Sequence, residues 1–95
     1  MMNLDLFDYC KICDWYGSNV DYDRFNYCQA WVSEKIFCSA FGIDFQIVKS
    51  YNTLVAIIDH TNRKFVRLGK WSRTTSKQST QIHNTFCRDY EDIQY

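Results

Sequence analysis

Proline is absent from these 95 residues, and glycine occurs only three times, at Gly17, Gly42 and Gly69. The chain therefore has no stiff linker and few ready sites for left-handed turns, so the three glycines serve as the natural boundaries between elements. No apolar run is long enough to cross a membrane as a helix. The opening Met1-Met2-Asn3-Leu4-Asp5 lacks the basic-then-apolar order of a secretion signal, so the expected compartment is the cytoplasm. Five cysteines cannot all pair, which agrees with reduced thiols in that compartment. The sequence also lacks a G-x-x-x-x-G-K-[ST] phosphate loop, a G-x-S-x-G nucleophile turn and a pair of carboxylates placed for acid–base work. Asp21-Tyr22-Asp23 is too short for a calcium loop. No feature calls for an enzyme or a cofactor.

What is present is aromatic and charge-segregated. Hydrophobic residues make up 46% of the chain and aromatics 18%, enough large rings to give so short a chain one core and one domain. Net charge is zero, but residues 1–42 hold six acids against three bases, whereas residues 43–95 hold five acids against eight bases. From His60 to Arg88 there are seven Lys or Arg and no acid. Such asymmetry suits either an electrostatic partner or the mutual attraction of two halves of one fold.

Periodicity divides the chain at Gly42. Residues 3–16 read as a helix, with Leu6, Cys10 and Cys13 at helical spacing and Phe7 beside them. Residues 22–40 read as a longer helix, with Phe25, Cys28, Val32 and Ser39 on one face, Trp31 and Ile36 widening it, Asp21 or Asp23 as cap and Gly42 past its end. The period then shortens to two. Residues 44–49 and 64–68 alternate, and the apolar run 53–58 suits a central strand. The turn at residues 59–63 offers Asn62 for positive φ. Thr75 with Gln78 fits a capping box opening a last helix from about Thr75 to Tyr90, with Ile82, Phe86 and Tyr90 on one face and a frayed tail after it. The expected fold is α+β, in the order α-α-β-β-β-α: an acidic helical part over 1–42 and a basic part over 43–95, with a three-stranded antiparallel meander packed by helices.

Three sets of residues carry candidate chemistry. The first is the cationic stretch Arg63, Lys64, Arg67, Lys70, Arg73 and Lys77, interleaved with Phe65 and Trp71. Arginines bind phosphates bidentately and an indole stacks on bases, so Arg63, Arg67, Lys70, Trp71, Arg73 and Lys77 form a candidate anion or nucleic-acid site. A solvated strand edge guarded by cations is the plainer reading of the same residues. The second set is the acids Asp5, Asp8, Asp14, Asp21 and Asp23, with Tyr16, Tyr22 and Tyr27 as aromatic anchors for a basic protein partner. The third is Cys10-Lys11-Ile12-Cys13, whose spacing invites zinc; it lacks a second close pair, and its cysteines fall on an apolar helix stripe.

Ser50-Tyr51-Asn52-Thr53-Leu54-Val55-Ala56, followed by Leu68-Gly69-Lys70-Trp71-Ser72-Arg73-Thr74-Thr75-Ser76-Lys77-Gln78, resembles a module of small proteins from phages and mobile elements of low-GC Gram-positive bacteria. The resemblance spans roughly residues 45 to 88. It implies a non-enzymatic phage accessory protein, and in its sharpest form an anti-CRISPR-like inhibitor that occupies a functional surface of an RNA-guided host nuclease.

Overall fold

The structure, a computed structural model, describes residues 4–25 and 29–95. The chain runs α1 (Leu6–Tyr16), β1 (Tyr22–Arg24), β2 (Ala30–Ser33), β3 (Ile36–Cys38), β4 (Ile43–Ser50), β5 (Thr53–Asp59), β6 (Lys64–Arg67), α2 (Arg73–Phe86) and β7 (Glu91–Gln94). The protein is α+β. Its strands form one sheet in the order β1-β2-β4-β5-β6-β7, and β3 pairs with the first part of β4. Every pairing is antiparallel except that of β6 with β7.

The centre of the sheet follows directly from side-chain alternation. In β5, residues 55 to 59 are all buried, as expected for a strand covered on both faces. Ile57 pairs with Ile47 on one side and Val66 on the other, and all three join Tyr9 and Ile12 of α1 in one core. Val48, Ala56, Ile58 and Phe65 point the opposite way and join Ile82 of α2 in a second core. The helices thus cover opposite faces of the sheet. Gly17, the C-cap of α1, sits where a Cβ would come within 2.5 Å of both the Cys13 carbonyl oxygen and Leu54 Cδ1, so only glycine lets this helix end lie so close to β5.

Several expectations are corrected. The longer helix over 22–40 is replaced by β1, β2 and β3, so the order is α-β-β-β-β-β-β-α-β and the 1–42 part is not helical throughout. Val32 and Ile36 stand four apart, which satisfies helical spacing and also the even spacing of strands; β-prone Trp31, Val32, Ile36 and Phe37 decide it. Gly42 accordingly lies in the β3–β4 turn rather than past a helix. The three strands expected after it are β4, β5 and β6, but they are the middle of a larger sheet. Cys28 and Tyr27 lie outside the described residues.

In α1 the buried face is Tyr9, Ile12 and Cys13, while Phe7 is 77% exposed and Cys10 is exposed as well. The helix is rotated from the expected stripe because Tyr9, Ile12 and Tyr16 make the wider apolar face. The N-cap of α2 is Ser72, which accepts from the Thr75 amide at 3.3 Å, and the helix ends at Cys87 before reaching Tyr90. Positive φ in the β5–β6 turn falls on Arg63 (56°), not on Asn62. The tail is not frayed: it is β7, held parallel to β6.

One buried polar contact ties α1 to the sheet. Asp59, fully buried, accepts from the Tyr9 hydroxyl at 2.8 Å and from the Asn62 amide and side chain at 3.0 and 2.8 Å. Burial, and then the Asp59 carboxylate, push the Tyr9 hydroxyl well above its usual pKa, so it stays a donor. Tyr9→Phe removes that donor from a buried carboxylate. The expected loss is about 1.5–3 kcal/mol, read as a lower urea midpoint with an unchanged m-value. An unchanged midpoint would show that the contact does not hold α1 in place.

Candidate functional site

Residues 50–56 and 68–78, separated by the end of β5 and all of β6, meet in space. Ser50, at the end of β4, is buried; its hydroxyl lies 3.3 Å from Thr75 Oγ1 and donates to Gln78 Oε1 at 3.1 Å. The Trp71 indole donates to the Val55 carbonyl at 3.3 Å. Gly69 permits the indole to fold back, since a Cβ there would meet Trp71 Cζ2 at 3.2 Å. The β4–β5 turn is thereby clasped against the first turns of α2. At its tip stands Tyr51, 56% exposed and with φ of 54°, a conformation disfavoured for a bulky side chain. Trp71, held on the Val55 carbonyl, is 36% exposed, and Lys70, Arg73 and Lys77 are exposed at the start of α2. Among the described residues these three cations form no ion pair.

The rest of the expected cationic set does not join them. Arg67 is only 9% exposed. Its guanidinium makes a bidentate pair with Asp92 (2.8 and 3.1 Å), donates to Thr80 Oγ1 at 3.0 Å and to the Ser76 carbonyl at 3.4 Å. It is consumed by the fold and offers nothing to an anion. Arg63 pairs with Asp89 and lies 4.9 Å above the Tyr90 ring. The basic stretch from His60 to Arg88 thus finds its acids in the C-terminal residues that follow it, which a charge count by halves could not show.

The expected acidic surface is dispersed. Asp5 and Asp8 form the capping box of α1, each side chain accepting from the other's amide at 3.0 Å. Asp14 is exposed on α1, whereas Asp21 and Asp23 lie at β1. Tyr16 is half-buried with its ring 5.2 Å from that of Phe45, and Tyr22 is half-buried with its hydroxyl donating to the Gly17 carbonyl at 2.7 Å. Neither tyrosine is the exposed anchor expected of it. Lys49 Nζ sits 4.3 Å from the Tyr22 ring centre, at the wall of a cleft of about 430 Å³ lined also by Ser18 and Asn52.

Cys13 is buried, and burial pushes its thiol up to about 12; Cys87 behaves alike. Among the described residues no group of three His, Cys, Asp or Glu is placed to hold a metal.

Sequence reasoning missed a second concave surface. A cleft of about 370 Å³ is lined by Asp23, Phe25, Val32, Glu34, Gln46 and Phe86, with Arg24, Ser33 and Thr85 completing it. Beside its floor runs a fixed chain of hydrogen bonds. Gln46 Nε2 donates to the Ser33 carbonyl at 2.8 Å, so its Oε1 faces His60 Nε2 at 2.8 Å and His60 must carry its proton there. His60 Nδ1 then accepts from the Tyr90 hydroxyl at 2.9 Å. Neutral imidazole satisfies both partners. Burial lowers the His60 pKa from its ordinary 6.5, and Lys35 adds to this while Asp44 and Asp59 oppose it.

A family model, described as a family of unknown function (DUF8033), matches residues 16–94, and the chain belongs to that family. The match begins at the last residue of α1 and ends at the last residue of β7, so it contains both clasped stretches. No curated protein and no solved structure matches the chain significantly.

The histidine chain has a consequence for stability. A folded pKa below 6.5 means that the unfolded chain takes up a proton first as pH falls. The contribution of His60 is therefore complete above about 6.5 and declines below it. In urea unfolding across this range, His60→Gln is expected to be less pH-sensitive than the parent below that value. Parallel stability curves for the two proteins would show that His60 is not held neutral.

Proposed function

We propose that this member of the family is a non-catalytic binding module whose contact corner is the clasped β4–β5 turn and the start of α2, and that its ligand is single-stranded nucleic acid. One observation carries the reading: the β4–β5 turn and the start of α2 fold against each other, and what they leave exposed includes two aromatics and three cations without ion pairs. Tyr51 and Trp71 offer faces on which bases stack; Lys70, Arg73 and Lys77 offer phosphate contacts beside the positive pole of α2. The buried residues of the motif, Ser50 and Gln78, hold the corner in shape.

A second reading, an anti-CRISPR-like inhibitor of a host RNA-guided nuclease, draws on a different surface. Phe7 (77% exposed) and Trp15 (47% exposed) share the outer side of α1 with Lys11, and Trp15 stacks on Phe41 at 5.9 Å. Large exposed aromatics are typical anchors of protein interfaces. Asp14 stands beside Trp15 and supplies the charge that a basic nucleic-acid channel attracts. Cytoplasmic action follows from either reading.

Fluorescence anisotropy with a labelled single-stranded oligonucleotide tests the first reading. Binding is expected to fall with salt with a logarithmic slope near −2, about −0.7 for each of three phosphate contacts. Joint reversal of Lys70, Arg73 and Lys77 to Glu is expected to abolish it, and Tyr51→Ala to cost about 1–3 kcal/mol. No binding at low salt, or no effect of the reversals, would reject this reading. The second is tested by cleavage assays of the host effector: inhibition lost in Phe7→Asp and Trp15→Asp supports it, and full cleavage at saturating parent protein ends it.

A further inference from the structure

The cleft at the far end of α2 lies outside both proposed contacts, and its chemistry is opposite to that of the cationic corner. Antiparallel pairing places Asp23 opposite Val32, so Asp23, Val32 and Glu34 share the sheet face on which α2 packs. Asp23 and Glu34 are then diagonal neighbours, about 7 Å apart. Both are exposed. Asp23 makes no hydrogen bond or ion pair among the described residues, and Glu34 uses one carboxylate oxygen to accept the Asp21 amide at 3.1 Å. Arg24 also lines the cleft, and its guanidinium lies 6.0 Å from the centre of the Trp31 ring, the residue it pairs with across the strands.

The walls are aromatic. Phe86, the last residue of α2, is 45% exposed at the cleft, and its ring is 5.9 Å from that of buried Phe25. A phenylalanine so exposed at a helix end gains little from its position, but its ring face attracts a cation. The C-terminal turn of α2 brings the negative end of the helix dipole to the same place. The floor is fixed: Gln46 is held by the Ser33 carbonyl and His60. About 370 Å³ is at the small end of ligand pockets and suits one long side chain rather than a cofactor.

From the diagonal carboxylates, the exposed ring and the helix pole, we infer that this cleft receives an arginine side chain of a protein partner, its guanidinium held between Asp23 and Glu34 and laid against Phe86. Arginine fits better than lysine. Its planar head donates to two carboxylates at once and stacks on a ring, whereas an ammonium is a compact point charge that gives up its hydration reluctantly. The inference does not rest on the nucleic-acid reading, because no residue is shared between the two surfaces.

The probe is a fluorescein-labelled tetra-arginine peptide, with the tetra-lysine peptide as comparison, followed by anisotropy at low and at physiological salt. The parent protein is expected to bind the arginine peptide more tightly than the lysine peptide. The Asp23→Asn, Glu34→Gln double variant is expected to weaken arginine binding about tenfold, and Phe86→Ala about threefold or more. Glu91→Gln, an exposed acid on β7, serves as control and should leave binding unchanged. All four positions are exposed, and thermal melts of the variants verify folding. Absence of binding, equal loss in Glu91→Gln, or full retention in Phe86→Ala would overturn the inference, since each reduces the cleft to unspecific attraction or to nothing.

Discussion

A guanidinium that is largely shut off from water must be matched by an anion and by acceptors, or the fold bears several kcal/mol of uncompensated charge. Arg67 is that group here. It projects from β6 towards α2 and is satisfied by Asp92, Thr80 and the Ser76 carbonyl. Asp92 belongs to β7, and Thr80 and Ser76 belong to α2, so this one side chain fixes both elements on the sheet. The parallel addition of β7 to β6 follows: Asp92 must come alongside Phe65 to reach across, and the register pairs those two residues. His83, stacked on Phe65 at 4.9 Å with Nδ1 3.8 Å from Asp92, closes the cluster. Asp92 stays 42% exposed, so water screens part of the charge, and removing this partner costs less than the roughly 3–5 kcal/mol of a fully buried pair.

The same arrangement decides which charges are left over. With Arg67 and Arg63 paired to the C-terminal acids, Lys70, Arg73 and Lys77 are left unspent at the beginning of α2, and Asp23 and Glu34 stand beside its end. α2 is 14 residues long, about 21 Å, and its first turn holds no acid. Arg73 occupies its first position, where the dipole favours a negative group by about 0.3–1 kcal/mol. Local stability would have put an aspartate or glutamate there, as it did in α1, where Asp5 and Asp8 make a reciprocal cap. The two helices of one small protein therefore treat the same physical problem in opposite ways. α1 neutralises its positive pole, and α2 adds to it. An incoming anion at one end of α2 and an incoming cation at the other resolve the mismatch, which is why both proposed surfaces fall on the same helix.

The parts of the fold legible in sequence are those where one period excludes the other. Residues 53–58 admit no helix face, and β5 is the buried central strand. The acids at the start of the chain mark a capped helix, and α1 begins one residue after Asp5. Residues 22–40 fail because Val32 and Ile36 fit both periods, and because the Glu34-Lys35 turn carries no glycine or proline to announce it. β7 is invisible for another reason: four residues with three polar side chains become a strand only when a buried arginine waits for Asp92. The candidate site was half legible. Lys70, Trp71, Arg73 and Lys77 were read from local composition, but Tyr51 comes from a hairpin two strands earlier, and it takes the contacts of Ser50 with Thr75 and Gln78 and of Trp71 with Val55 to join the two. The arginine cleft, assembled from β1, β2, β4 and the end of α2, has no local signature at all.

Tyr51 gives the strongest internal argument that the clasped corner is a contact surface. A two-residue turn joins Ser50 to Thr53, and such turns demand positive φ, which glycine or asparagine supplies at little cost. Asn52 is adjacent, yet the strained position is occupied by tyrosine, at about 1–2 kcal/mol relative to a right-handed residue. Burial does not recover that energy, because the ring is more than half exposed. The backbone is held in place by other means: the Tyr51 amide donates to the Gln29 carbonyl at 2.9 Å, and Ser50 is locked to Thr75 and Gln78. Polar contacts on both sides thus over-determine a conformation that the residue itself resists. Strain sustained in this way, around an outward-facing ring, supports the proposal that this corner is a contact surface.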